Sequence, residues 1–302
     1  MIKVGAIDID TSHPIAFADW MLKSNRGRYT CVYNAGFRSD SYVQKFMSEK
    51  NVPVRVSSLE EMAEQVDIAF IHSCNWDKHL GLAEPFIRAG KPVFIDKPIV
   101  GSIADCRKVE HQVKFGAVIL GSSSFRYCKQ FSEFMQKPVS ERGEIIALFG
   151  SIGVDEFNYG IHVIEALGAF VPAGAESVKC ISAGRTEQYA VNYTNGVQAI
   201  YQLCLGIWRP TNMVVTTTKG SFSITPDINL LYDGLLGRIF DYMEKGKHMA
   251  SIHELTESIK IAIAGKVSKE HGGNGITISG LESNLKYDGR AFETYYAKIS
   301  GV

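Results

Sequence analysis

A chain of 302 residues, 45% of them hydrophobic, is long for a single ordinary domain and apolar enough to bury two cores. Lysine plus arginine equals aspartate plus glutamate at 32 each, so there is no net field to draw nucleic acid, an anionic membrane surface or a strongly charged partner. A neutral small molecule fits that balance. The opening Met1-Ile2-Lys3-Val4-Gly5 runs straight into strand-like sequence without the apolar core of a secretory signal, and no stretch approaches the roughly 18 uncharged apolar residues of a membrane span. A soluble, cytoplasmic protein is expected. The cysteines Cys31, Cys74, Cys106, Cys128, Cys180 and Cys204 lie more than 20 positions apart, without the short paired spacing of a zinc knuckle or redox dithiol, and read as reduced core residues.

Along the first 120 or so residues, short apolar runs alternate with helix-period segments, the pattern of βαβ units feeding a parallel sheet. The runs are Lys3 to Ile9, Tyr29 to Phe37, Asp67 to Ile71, Val93 to Ile95 and Ala117 to Leu120. Pro14 suits a first helical turn, followed by Phe17, Trp20 and Met21 at the spacing of a buried stripe. Ser58 and Glu61 make a capping-box pattern, and Gly90 stands where the helix after His79 should stop. From Glu144 the texture changes to β-rich segments: Val178 to Ser182, Tyr189 to Tyr193, Val197 to Leu203, Met213 to Thr218 and Ser221 to Ile224. Asn195-Gly196 and Lys219-Gly220 mark hairpin turns between them. Helices are expected around Gly160 to Phe170, Asp233 to Glu244 and Ile252 to Lys266, giving an α+β layer with a mostly antiparallel sheet.

Ligands of an open parallel sheet sit beyond the carboxyl ends of its strands, which directs attention to Asp8 to His13, Phe37 to Asp40, His72 to Asn75, Asp96-Lys97-Pro98 and Ser122 to Ser124. Asp96-Lys97-Pro98 resembles the Glu-Lys-Pro motif of the glucose-fructose oxidoreductase and inositol dehydrogenase (Gfo/Idh/MocA) family. The segment from His79 through Ala89-Gly90-Lys91-Pro92-Val93 has the family's spacing before that lysine. Phe125-Arg126-Tyr127 matches further on, as does Asn158-Tyr159-Gly160-Ile161-His162, where the family has Asp-x-Gly-x-His. Lys219 to Phe222 and the Ile252 to Ala264 helix extend the resemblance over nearly the whole chain.

The resemblance implies a Rossmann-type dinucleotide-binding domain over residues 1–123 and an α+β substrate-binding and oligomerisation domain over 124–302. It implies an oxidoreductase that moves hydride between NAD or NADP and a hydroxyl or carbonyl of a sugar, polyol or related small molecule. Lys97 would hydrogen-bond the reacting oxygen, His162 would exchange its proton, and Asn158 would orient a hydroxyl. Arg126 and Tyr127 would line the substrate pocket. The cofactor set comprises Asp8, Ile9, Asp10, Thr11, Ser12, His13, Arg38, Ser39, Cys74, Asn75, Trp76, His79 and Asp96. A homodimer or homotetramer is expected by resemblance.

The chain departs from the family at three places. Asp8, Asp10 and His13 stand where Gly-x-Gly-x-x-Gly would let backbone amides approach the pyrophosphate, and a carboxylate about 4 Å from a phosphate costs on the order of 4 kcal/mol at an effective dielectric near 20. Phe37 replaces the acidic residue for the adenosine ribose, with Arg38 and Ser39 following in a pairing suited to a 2′-phosphate. Asn158 replaces an aspartate and cannot take a proton. The alternative function is therefore a non-redox ligand-binding or regulatory relative that lost the glycine loop. Asp8, Asp10 and His13 as metal ligands are a third possibility; no metal is assigned, because capping aspartates and a helix-start histidine need no ion.

Overall fold

The alternating runs fold into six parallel strands, β1 (Ile2–Ile7), β2 (Gly27–Tyr33), β3 (Val54–Arg55), β4 (Ile68–Ile71), β5 (Val93–Ile95) and β6 (Ile119–Gly121), in the order β3-β2-β1-β4-β5-β6. The computed structural model describes residues 1–209 and 211–301. Helices α1 (His13–Ser24), α2 (Asp40–Lys50), α3 (Leu59–Gln65), α4 (His79–Arg88) and α5 (Ile103–Lys114) connect the strands. Helical cover on both faces explains why β4 and β5 are apolar at every position instead of alternating. The chain builds outward from β1 through β2 to β3, then crosses to β4 on the other side of β1. Strand order thus reverses between β1 and β4, and a crevice opens beyond their carboxyl ends.

Several local expectations shift. β1 leaves the sheet at Ile7, two residues early, because Asp8 turns the chain with φ 55. β2 likewise stops at Tyr33, and Phe37 lies in the loop beyond it. The box at Ser58 is half formed: its hydroxyl accepts from the Glu61 amide, but the Glu61 carboxylate returns to the Ser57 amide.

After α6 (Lys129–Gln136) and a single turn, α7 (Val139–Arg142), the second sheet contains β7 (Ile145–Val154), β8 (Ala175–Ala183), β9 (Glu187–Tyr193), β10 (Gln198–Leu205), β11 (Asn212–Thr217), β12 (Gly220–Ile224) and β13 (Ile276–Thr277). Its order is β12-β11-β7-β10-β9-β8-β13. All its pairings are antiparallel except β7 with β10. Gly196, at φ 83, makes the β9–β10 turn that Asn195-Gly196 foretold. Helices α8 (Gly160–Leu167) and α10 (Ile252–Glu270) cover one face, and α10 starts with a complete capping box formed by Ser251 and Glu254. Helix α9 (Leu231–Lys245) returns to the first sheet, burying Leu235, Leu236, Ile239 and Phe240 against Phe17 and Tyr29. A last helix, α11 (Gly289–Ile299), comes back to the strand ends of the first sheet. Among the described residues no helix is long and apolar enough to cross a membrane, and all six cysteines are free.

Arg126, in the turn after β6, is locked to the helices that cover the second sheet. Its guanidinium is buried against the Glu165 carboxylate and also donates to the Gly168 carbonyl and the Ser258 hydroxyl. Removing one partner strands the other charge in the interior. Arg126→Ala should therefore cost about 3–5 kcal/mol in urea unfolding, whereas the apolar double change Arg126→Met with Glu165→Leu should recover most of it. Equal losses in the single and double variants would show that packing, not the stranded charge, carries the effect.

Candidate active site

The strand ends converge on Asp96, the residue after β5. Its Oδ2 accepts from His13 Nδ1 at 2.6 Å and His72 Nδ1 at 3.2 Å, while Oδ1 accepts from the Lys97 amide at 2.8 Å. Burial alone would raise this carboxyl; the adjacent His13 and His72 outweigh it and hold the group well below the usual carboxylate range. Since a carboxylate oxygen only accepts, His72 donates from Nδ1, and its Nε2 accepts a hydrogen bond from the Tyr29 hydroxyl at 2.8 Å. Burial keeps His72 neutral by lowering its pKa.

Lys97 leaves this hub toward the segment between β7 and α8. Its Nζ donates to the Asn158 carbonyl at 3.1 Å and to Asn158 Oδ1 at 3.0 Å, and lies 5.6 Å from the centre of the Tyr159 ring. Burial lowers its pKa, and Asp96 and Asp155 work against that. The first turn of α8 then presents His162, whose Nδ1 meets the Ser123 hydroxyl at 2.6 Å and whose ring packs edge-on to Phe125 and Tyr159. Burial and the nearby Lys97 charge drive the His162 pKa well below 6.5, so the imidazole is neutral. Lys97, Asn158 and His162 thus lie together between the two sheets.

Sequence reasoning missed Asp155, and it marked Ser123 only as part of the Ser122 to Ser124 strand end. Asp155 braces the turn into α8 by accepting from the Phe157 and Tyr159 amides at 3.0 and 2.9 Å, and it supplies a carboxylate near Lys97. An acidic residue just before Asn158 was the available signal. Ser123 follows β6, and its contact with His162 shows only in the fold.

The proposed cofactor residues divide into several groups. Thr11 accepts from the His13 amide, Ser12 starts α1 with its hydroxyl uncommitted to the cap, and the first turn of α1 carries no acidic residue. Ile9 is buried in the core. Asp8 accepts from the Ala35 amide at 2.7 Å, and Asp10 from the Cys74 amide at 3.1 Å. One oxygen of each, Asp8 Oδ2 and Asp10 Oδ1, is buried with no hydrogen-bond partner. Arg38 does not stand ready for a 2′-phosphate: it donates to the Asp10 carbonyl at 3.1 and 2.7 Å and lies between the rings of Phe37 and Tyr42. Ser39 caps α2 through the Tyr42 amide. His79 bridges the Ser73 and Ile99 carbonyls, holding α4 to two strand ends. Trp76 anchors its loop, donating to the Tyr287 carbonyl and packing on Phe157 and Phe292. Asn75 donates to Glu293 at 2.9 Å.

Two further expectations come apart from the pocket. Arg126 is committed to the buried Glu165 pair, and the Tyr127 hydroxyl accepts from the Ala250 amide at 2.8 Å, so both hold the segment after β6 to later parts of the chain. His13 is held by Asp96 and not shared with Asp8 and Asp10, and among the described residues no three His, Cys, Asp or Glu side chains are grouped to hold a metal. At the Lys97 end of the crevice a lysine, a neutral imidazole and an amide stand together, groups whose chemistry suits a nicotinamide and a hydroxyl-bearing substrate. The phosphate end offers the start of α1 but carries two carboxylates.

Burial and the neighbouring Asp8 push Asp10 up to about 6 from 3.8. The folded protein therefore keeps a proton that the unfolded chain has lost, and stability falls as pH rises through that window, by up to about 3 kcal/mol. Asp10→Asn should flatten the dependence between pH 4 and 6 and stabilise the protein at pH 8 by about 1–2 kcal/mol, read by urea unfolding at both pH values. An Asp10→Asn protein less stable than the parent at pH 8 would show that the charge is well served there.

Residues 14–121 match the family model described as oxidoreductase family, NAD-binding Rossmann fold (GFO_IDH_MocA). The scyllo-inositol dehydrogenase of Lactobacillus casei, solved with NAD(H) and scyllo-inositol, superposes with a TM-score of 0.77 at 14% identity, covering 93% of this chain and 100% of that one. A "probable dehydrogenase" from Thermotoga maritima gives a TM-score of 0.77 at 14% identity, with the same coverage. An oxidoreductase from Agrobacterium radiobacter in complex with NAD+, L-tartaric acid and magnesium gives 0.74 at 13%, over 92% and 98% of the two chains. No curated protein matches the sequence. Residues 14–121 thus match a family of oxidoreductases with an NAD-binding Rossmann fold, and nearly the whole chain shares the fold of these solved structures.

Proposed function

We propose that the protein is an NAD-dependent oxidoreductase acting on a secondary hydroxyl, or the matching carbonyl, of a polyol or sugar-like small molecule. The observation that carries this is Lys97 Nζ, held by both oxygens of Asn158 beside a neutral His162 at the end of the crevice. The nicotinamide, when bound, supplies the hydride acceptor or donor. A secondary alcohol gives up hydride only as its oxygen becomes more negative, so the Lys97 ammonium stabilises the transition state by hydrogen-bonding that oxygen. His162, neutral and held through Nδ1 by Ser123, takes the hydroxyl proton. A protonated imidazole beside an ammonium is unfavourable, and the Asp155 carboxylate near Lys97 offsets that charge. Asn158 fixes Lys97 and orients the substrate without taking a proton. The flanking start of α1, with Thr11 and Ser12, is where the cofactor's phosphates would approach. A cytoplasmic homo-oligomer completes the proposal.

The carboxylates at Asp8 and Asp10 favour a second reading, a non-redox binding protein. Turnover separates the two. Lys97→Ala should lower NAD-linked polyol oxidation by roughly 10²–10³-fold, and His162→Asn by roughly 10²–10⁴-fold, with circular dichroism unchanged. The depressed His162 pKa predicts that the oxidation rate is already on its plateau at pH 6.5 and falls only in the alkaline range, as Lys97 loses its proton. A rate that climbs through pH 6.5 would contradict this, and no turnover with any polyol would favour the binding protein.

A further inference from the structure

We infer that α11 is a displaceable strap over the dinucleotide groove, and that its release frees Lys78 and Asn75 to hold the phosphates of the incoming cofactor. The inference rests on the oxidoreductase reading above. It starts from where the helix lies. One rim of the crevice is the loop after β4, Asn75 to Lys78; the other is the stretch after β2, Phe37 to Tyr42. At its start α11 is tied to the first rim, with the Gly289 and Arg290 amides donating to Asp77 Oδ2 at 3.1 and 3.3 Å. One turn on, Glu293 accepts from Asn75 Nδ2 at 2.9 Å and Lys78 Nζ at 2.6 Å, and Phe292 lies 5.0 Å from Trp76. A further turn on, Tyr296 reaches the second rim, 6.2 Å from Phe37 and edge-on to it. Positions 289, 292, 293 and 296 share one helix face, and seven residues of helix span roughly 10 Å. The helix therefore crosses the opening.

Its attachment is light. In α11 only Gly289 is fully buried, whereas α10 buries residues along its whole length. What holds α11 is a charged pair, a few backbone bonds and half-buried rings, the kind of element that opens below the global unfolding free energy.

The docked helix and a phosphate compete for the same donors. Glu293 places a carboxylate on an amide and an ammonium at a strand's carboxyl end, an arrangement that suits an anion. With α11 in place the groove holds Asp8, Asp10 and Glu293 against Lys78 and Arg38, and Arg38 is spent on the Asp10 carbonyl. A pyrophosphate cannot join three carboxylates at close range. When the helix lifts, one negative charge leaves and Lys78 loses its partner, so the groove exchanges an internal anion for an external one. Lys78 then does part of the work that glycine-loop amides would do, in a loop whose glycine positions are aspartates.

The test compares NAD binding by calorimetry in the full chain, in Glu293→Ala with Tyr296→Ala, and in a chain ending at Tyr287, with hydrogen exchange of residues 289–299 followed in the full chain as NAD is added. Affinity should rise 10-fold or more in both altered proteins, exchange in α11 should quicken on NAD addition, and Lys78→Ala in the shortened chain should remove most of the gain. If the shortened chain does not fold, the double variant and the exchange measurement decide. Affinity unchanged within twofold, with exchange in α11 indifferent to NAD, overturns the strap and leaves the oxidoreductase reading standing. No NAD binding in any of these proteins overturns both.

Discussion

The Asp96 carboxylate lies buried at the end of β5, where an unpartnered charge would cost several kcal/mol, and donors from three chain segments converge on it. His13 arrives from the start of α1, His72 from the end of β4, and the Lys97 amide from the next residue. Each ties a different βα connection to one oxygen pair, so the carboxyl edge of the sheet behaves as a unit. The origin of the Lys97 side chain is set by this arrangement, and its far end by Asn158. With both ends anchored, the ammonium has little freedom. In the proposed reaction that constraint would let a single lysine serve as a fixed point of positive charge, because preorganised donors need no reorganisation.

The same edge shows how a crevice built around glycines can be held by aspartates. A glycine loop leaves its amides pointing outward for a ligand, whereas Asp8 and Asp10 reach sideways to amides of neighbouring connections, Ala35 beyond β2 and Cys74 beyond β4. Asp8 can take the left-handed conformation at φ 55 because its short polar side chain tolerates it. Gly36 must lack a side chain, since a Cβ there would come within 2.1 Å of Asp10 Oδ1. The loop gains stiffness and loses openness. Two buried oxygens without partners are the residual cost, and the same burial, with the neighbouring Asp8, pushes Asp10 up to about 6.

Much of the architecture was legible in the sequence because it rests on local periodicity. The β-branched runs, the first helix after Pro14 and the Asn195-Gly196 hairpin all follow from rules that operate within a few residues. What failed to show was non-local. The two-residue β3 has no periodicity to detect, and the parallel β7–β10 pairing depends on which strands meet. Lys97, Asn158 and His162 came from an ordered set of motifs, and they lie together. Arg126 gave the wrong impression because nothing near it in sequence reveals Glu165, 39 positions away. Arg38 suggested a phosphate site for the same reason: the carbonyl it binds lies 28 positions back. Asp155 went unnoticed because its value lies in proximity to Lys97, which the sequence does not encode as spacing.

The two ends of the crevice are therefore under different constraints. At the proposed reactive end Lys97, His162 and Asp155 each have a partner within the chain, so their geometry is set before anything binds. At the phosphate end the balance of charge depends on which anion is present, Glu293 from α11 or a group from outside. A site divided in this way can change its affinity for a cofactor without moving Lys97 or His162, because the Asp96 hub stands between the two regions and does not depend on α11. Changes in the last helix should thus alter occupancy, while changes around Asp96 should alter chemistry, and the separation follows from where the buried charges are paired.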